Sequence, residues 1–97
     1  MIKNYTKTRA SCQVTFQIPP DAHADSAFLI GDFNGWDTRS LPMKRNRDGS
    51  FSLTISLKPG NEYDYRFLVD GNRWENDTAA DGYRTNPFGS KNSMVKV

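Results

Sequence analysis

The sequence predicts an all-β domain, an immunoglobulin-like sandwich of about seven short antiparallel strands. Three observations carry this. Cys12, Val14, Phe16 and Ile18 alternate with polar residues, as do Phe51, Leu53, Ile55 and Leu57. A period of two marks a strand with one buried face. Gly, Pro, Asn, Asp and Ser recur at short intervals, which interrupts helices and builds turns. The chain has 97 residues, enough for one domain with one modest core.

The elements follow in order. Met1 to Arg9 is polar and basic, and residues 1–10 are expected to form a flexible lead to a sandwich over 11–97. Pro19-Pro20 ends the first strand, because proline cannot donate to a ladder. Pro20 to Asp25 is a loop with His23 exposed in it. Ala27 to Gly31 is a short apolar strand that runs into the turn Asp32–Trp36, and Leu41 to Arg45 is a brief one. Arg47-Asp48-Gly49-Ser50 is a hairpin turn, since Asp-Gly tolerates positive φ. Lys58-Pro59-Gly60-Asn61 is the next turn. Tyr63, Tyr65, Phe67 and Val69 then alternate with Glu62, Asp64, Arg66 and Leu68. Asp70-Gly71 reverses the chain and Arg73-Trp74 starts the return. Glu75 to Ser90 is a long polar loop, and Asn92 to Val97 closes the sheet. The expected core is Val14, Phe16, Ile18, Leu29, Phe33, Phe51, Leu53, Ile55, Tyr65, Phe67 and Val69.

Composition excludes several roles. The net charge is +2, from 13 basic and 11 acidic side chains. That balance argues against nucleic acid and against an anionic membrane as partners. The one basic cluster, Arg39, Lys44, Arg45 and Arg47, is flanked by Asp37 and Asp48 and reads as a solvated hairpin rim. Cys12 is the single cysteine, so no internal disulfide forms, and its place on an alternating strand makes it a small buried hydrophobe. No signal peptide or membrane span is legible, and the expected setting is cytoplasmic.

Enzyme readings fail in turn. One His and one Cys cannot build a metal centre, and no cofactor is expected. A Ser-His-Asp triad would have to use His23, and no serine lies in a nucleophile elbow. Asp70, Glu75, Asp77 and Asp81 are close in sequence, as a glycosidase pair would be. Asp70 is explained by its turn and the others by an open polar loop, where nothing raises a carboxyl pKa.

The tryptophans are the remaining signal. Trp36 and Trp74 each stand in a polar turn just past a strand. A Trp carries roughly 150–250 Å² of surface, and a loop offers little to cover it. The pair either caps the end of the sandwich or forms a platform for a flat ligand such as a sugar ring. Arg66 lies on the solvent face of its strand, with up to five donors for hydroxyls. Its other reading is a surface charge paired with Glu62 or Asp64. Ser90 and Asn92 either serve turn chemistry or offer polar groups to the same ligand.

Phe28-Leu29-Ile30-Gly31-Asp32-Phe33-Asn34-Gly35-Trp36, then Tyr65-Arg66-Phe67-Leu68-Val69-Asp70-Gly71-Asn72-Arg73-Trp74, then Asn92-Ser93-Met94-Val95 resemble the glycogen-binding modules. That family includes the glycogen-binding domain of the AMP-activated protein kinase beta subunit and the early-set N-terminal domains of isoamylases and branching enzymes. The resemblance covers residues 26 to 97. It implies an early-set immunoglobulin-like sandwich that binds α-1,4-linked glucans. It assigns Trp36 and Trp74 to stacking on glucose, and Arg66, in place of a lysine, to hydroxyl contacts. Phe88 replaces a leucine that pierces the curved glucan, and Ser90 and Asn92 match a threonine and an asparagine. Two functions follow as expectations. One is a non-catalytic module for glycogen, starch or maltooligosaccharides. The other is a protein-interaction module serving a separately encoded glucan-active enzyme or kinase.

Overall fold

Among the described residues the chain forms nine strands. A computed structural model describes residues 1–20 and 23–97; residues 21 and 22, in the expected Pro20–Asp25 loop, lie outside the described residues. The strands are β1 (Ile2–Tyr5), β2 (Cys12–Ile18), β3 (Ala27–Gly31), β4 (Lys44–Arg45), β5 (Phe51–Leu57), β6 (Glu62–Val69), β7 (Arg73–Glu75), β8 (Gly82–Thr85) and β9 (Lys91–Lys96). One sheet has the order β1-β2-β5-β4 and the other β3-β6-β9-β8, with β7 also paired to β6. All pairings are antiparallel. The expected all-β sandwich is the architecture found. Among the described residues no helix is long and apolar enough to cross a membrane.

The core lies between the two sheets. Val14, Phe16, Leu29, Phe51, Tyr65, Phe67, Val69 and Val95 are buried in it, and Cys12 with them. Phe16 meets Tyr65 edge-on at 4.8 Å between ring centroids, and Tyr65 meets Phe67 at 5.9 Å. Such aromatic contacts add about 0.5–1.5 kcal/mol each beyond their burial. Three expected core members, Phe33, Leu53 and Ile55, are only half-buried. Strand β4 pairs with Phe51 and Ser52 alone, so the flank of β5 beside Leu53 and Ile55 stays open. Phe33 sits on a 3-10 turn, Asp32–Asn34, and packs from the margin, 5.8 Å from the Phe16 ring.

Two elements were not anticipated. Within the expected flexible lead, residues 2–5 form edge strand β1, in register from Ile2↔Thr15 to Tyr5↔Cys12. Within the expected Glu75–Ser90 loop, residues 82–85 form edge strand β8 on β9. Both are largely exposed. An edge strand needs backbone partners but no apolar face, so alternation does not reveal it.

The edge strands are also tied to each other. Lys3 Nζ donates to Asp81 Oδ2 at 2.6 Å, and the Lys96 backbone N–H donates to the same oxygen at 2.8 Å. Burial works against the Asp81 charge, but these two bonds and the lysine charges outweigh it and hold its carboxyl below the usual carboxylate range. A lowered folded pKa stabilises above the unfolded value and is lost as pH falls. The contribution should therefore be intact at neutral pH and fade below about pH 4. Urea unfolding from pH 7 to pH 2 is expected to show an acid limb that Asp81→Asn flattens. An unchanged limb in that variant would remove Asp81 from the account.

Candidate functional site

The segment Gly31–Trp36 is a device for projecting one indole. Asn34 Oδ1 accepts the Gly31 N–H at 3.0 Å, and Asn34 Nδ2 donates to the Asp37 carbonyl at 3.1 Å and to Ser40 Oγ at 2.9 Å. Gly35 and Trp36 both adopt left-handed backbone, with φ of 64° and 59°. For a bulky residue that conformation costs on the order of 1–3 kcal/mol and persists only when its surroundings impose it. The Trp36 N–H donates to the Gly31 carbonyl at 2.9 Å. Its indole Nε1–H donates to Asp32 Oδ1 at 2.9 Å, and Asp32 Oδ2 accepts the Asp64 backbone N–H at 2.8 Å. The turn is thus fastened to β6.

Trp74 comes from the opposite side, on β7. Its hairpin reverses at Asp70 and Gly71, whose φ values of 54° and 74° are those a tight hairpin turn requires. Asp70 Oδ1 accepts the N–H groups of Asp25 and Ser26 at 2.8 and 3.0 Å, which anchors the turn to the start of β3. Those two bonds hold the Asp70 carboxyl below its ordinary range. Trp74 is in register with Leu68. Residues 64, 66 and 68 of β6 share one face by the pleat, so Trp74, Arg66 and Asp64 share it too. The Arg66 guanidinium lies 5.8 Å from the Trp74 ring centroid, within cation–π range.

The third side is the β8–β9 hairpin. Asn86 Oδ1 accepts the N–H groups of Phe88 and Ser90 at 3.0 and 3.2 Å, and Asn86 Nδ2 donates to Ser90 Oγ at 2.8 Å and to Asn92 Oδ1 at 3.2 Å. The turn lifts Phe88 into solvent at 93% exposure. Asn92 is buried at the foot of the hairpin and donates to Asp64 Oδ2 at 3.4 Å.

These parts enclose an open cleft of about 560 Å³, lined by Asp32, Trp36, Asp64, Arg66, Trp74, Asn86, Pro87, Phe88 and Asn92. Five of the six residues named from the sequence meet there: Trp36, Arg66, Trp74, Phe88 and Asn92. The sixth, Ser90, does not line it, and its hydroxyl is held by Asn86. Sequence reasoning passed over Asp32, Asp64, Asn86 and Pro87 as site residues. Asp64 was legible, because it lies two residues from Arg66 on the same strand and therefore on the same face.

The charges are not paired as the surface-ion-pair reading of Arg66 would have it. Asp64 and Glu62 instead face Arg84, at 3.4 and 3.6 Å. Arg66 makes no ion pair among the described residues, and its Nε is buried without a hydrogen-bond partner. A buried donor left unpaired costs about 1–3 kcal/mol. Among the described residues no group of three or more His, Cys, Asp or Glu is arranged to hold a metal ion. One carboxyl judged from the sequence to lie in an open loop is not there: Asp77 is 4% exposed. Its Oδ2 accepts the Tyr65 hydroxyl at 2.7 Å, which engages it inside the fold and away from the cleft.

Comparison with known proteins agrees with this geometry. A family model described as the glycogen recognition site of AMP-activated protein kinase matches residues 14–97. Rice (Oryza sativa subsp. japonica) Protein FLOURY ENDOSPERM 6, chloroplastic, is 38% identical over 74 residues, covering 76% of this chain and 13% of that protein. The 5'-AMP-activated protein kinase subunit beta-1 of Sus scrofa is 34% identical over 70 residues, covering 72% of this chain and 52% of the subunit. A 1,4-alpha-glucan branching enzyme, GlgB, of Aquifex aeolicus is 45% identical over 53 residues, covering 52% of this chain and 8% of the enzyme. The chain spans only a part of each of these relatives. With a match over all but its first 13 residues, the chain belongs to the family of the glycogen recognition site of AMP-activated protein kinase.

Proposed function

We propose that the domain is a non-catalytic binding module for α-1,4-linked glucans, glycogen, starch or maltooligosaccharides, and that the cleft is where they bind. The observation that carries this is the meeting of Trp36, Trp74 and Phe88 around Arg66 and Asn92 in one open cleft. A glucose ring has apolar C–H faces and a rim of hydroxyls. Aromatic planes take the faces, and the guanidinium and amide take the rim. By analogy with bases stacked on aromatics, each ring is worth about 1–3 kcal/mol. Both carboxylates in the cleft are already held by donors, Asp32 by an indole and a backbone N–H, Asp64 by Arg84 and Asn92. That favours binding over acid–base chemistry.

Titration with maltoheptaose and with β-cyclodextrin, read by tryptophan fluorescence, tests the reading. Saturable change with a dissociation constant below about 1 mM, roughly 4 kcal/mol, is expected. The double substitution of Trp36 and Trp74 by Ala is expected to abolish it while the far-UV circular dichroism stays that of a β domain. Silence of the wild-type protein at several times that concentration would overturn the proposal and leave a protein-docking role for the aromatic pair.

A glucan-active enzyme or a kinase is the partner we propose, because the pig relative is a kinase subunit and the Aquifex relative a branching enzyme. For location, the cytoplasm expected from the sequence competes with a chloroplast, where the name of the rice relative places that protein.

A further inference from the structure

Asp32 touches the Trp36 indole nitrogen and a neighbouring strand at once. Oδ1 takes the indole N–H at 2.9 Å and Oδ2 takes the Asp64 backbone N–H at 2.8 Å. A carboxylate has two oxygens in one plane, so fixing one on β6 fixes the direction of the other. The indole it holds belongs to a residue in the left-handed region, φ 59°, where a tryptophan does not stay without external restraint. Trp74 differs: it is 44% exposed and rests on an ordinary strand.

We propose that Asp32 is a positioning residue that sets the Trp36 ring before any ligand arrives. By occupying the indole N–H it also leaves Trp36 only its ring face for recognition, so that Trp36 reads the apolar side of a sugar and the hydroxyl pattern is read by other groups. This rests on the glucan-binding reading. A ring held in its bound orientation loses less freedom on binding, and affinity rises accordingly.

The test uses the two indole N–H signals of the ligand-free chain in a ¹H–¹⁵N spectrum, assigned with Trp74→Phe. The Trp36 signal is expected to exchange with water at least tenfold more slowly than that of Trp74. In Asp32→Ala, which removes both acceptors, that protection is expected to disappear. Maltoheptaose affinity is expected to fall about tenfold, and Asp32→Glu is expected to restore part of both. Equal exchange of the two indoles in the wild-type chain would overturn the proposal. So would an Asp32→Ala variant that binds less tightly with its Trp36 N–H still protected, since Asp32 would then act on the ligand directly. If Asp32→Ala does not fold, the exchange comparison in the wild-type chain decides alone. A wild-type chain with a protected Trp36 that ignores maltoheptaose would sink the glucan reading and leave the positioning role standing.

Discussion

Gly31→Ala is expected to destabilise the domain by about 3 kcal/mol, a large share of the roughly 5–15 kcal/mol that holds such a domain folded. The cause is space, since the Gly31 backbone is extended, with φ −172°, and any residue adopts that. A β-carbon at Gly31 would lie 2.5 Å from the Asp64 carbonyl oxygen, 2.8 Å from Tyr65 Cβ and 2.9 Å from Phe33 Cζ. The Phe33 ring can turn aside. Backbone and Cβ of β6 cannot, because β6 is paired on both sides, to β3 and to β9. Overpacking a tight site costs typically 1–3 kcal/mol, and the rigidity of the central strand puts this case at the upper end. Urea unfolding measures it. The same displacement pulls Asp32 from the Asp64 N–H, so the folded fraction is also expected to bind maltoheptaose less tightly. A loss of stability below about 1 kcal/mol would mean that β6 yields more easily than its pairing implies.

The glycine was visible in the sequence, but its reason was not. Periodicity reports which residues face inward along one strand, and it found β2, β5 and β6 with Phe16, Tyr65 and Phe67 inside. It placed Arg66 on the outer face, where it is; the two loop tryptophans and Asn92 stood out by their own chemistry, and the resemblance added Phe88 to the same cleft. Contacts between strands are not periodic. The approach of Asp64 to Gly31 and the bond from Asp32 to the Asp64 N–H join residues more than thirty positions apart. Strands β1 and β8 escaped for a related reason, since they bury backbone and almost no side chain. Asp77 escaped because a polar residue among Asn, Asp and Gly looks like a loop residue until its partners, Tyr65 and Ser93, arrive from β6 and β9.

Asp77→Ala is the other substitution with a large expected effect, about 3–4 kcal/mol. The Asp77 side chain is buried and fully engaged. Oδ2 accepts the Tyr65 hydroxyl at 2.7 Å and Oδ1 accepts the Ala79 N–H at 2.9 Å. Its backbone N–H donates to Ser93 Oγ at 2.8 Å, and its carbonyl accepts the Tyr83 hydroxyl at 2.6 Å. Burial first, and then the bond to Asp77 and its charge, push the Tyr65 hydroxyl far above the usual tyrosine range. The truncation leaves that hydroxyl, wholly inaccessible, with no acceptor, and each orphaned buried group costs about 1–3 kcal/mol. The melting temperature is expected to drop by roughly 12–32 °C, at 4–8 °C per kcal/mol for a domain of this size. Tyr65→Phe removes the other half of the bond. Combining the two is expected to cost at least 1 kcal/mol less than the sum of the singles, because the orphan made by one is deleted by the other. Strict additivity would show that the Tyr65–Asp77 bond contributes nothing of its own. None of these four hydrogen bonds of Asp77 reaches a residue that lines the cleft, so folded Asp77→Ala is expected to bind maltoheptaose within about twofold of wild type. That result would separate what holds the sandwich together from what holds the sugar.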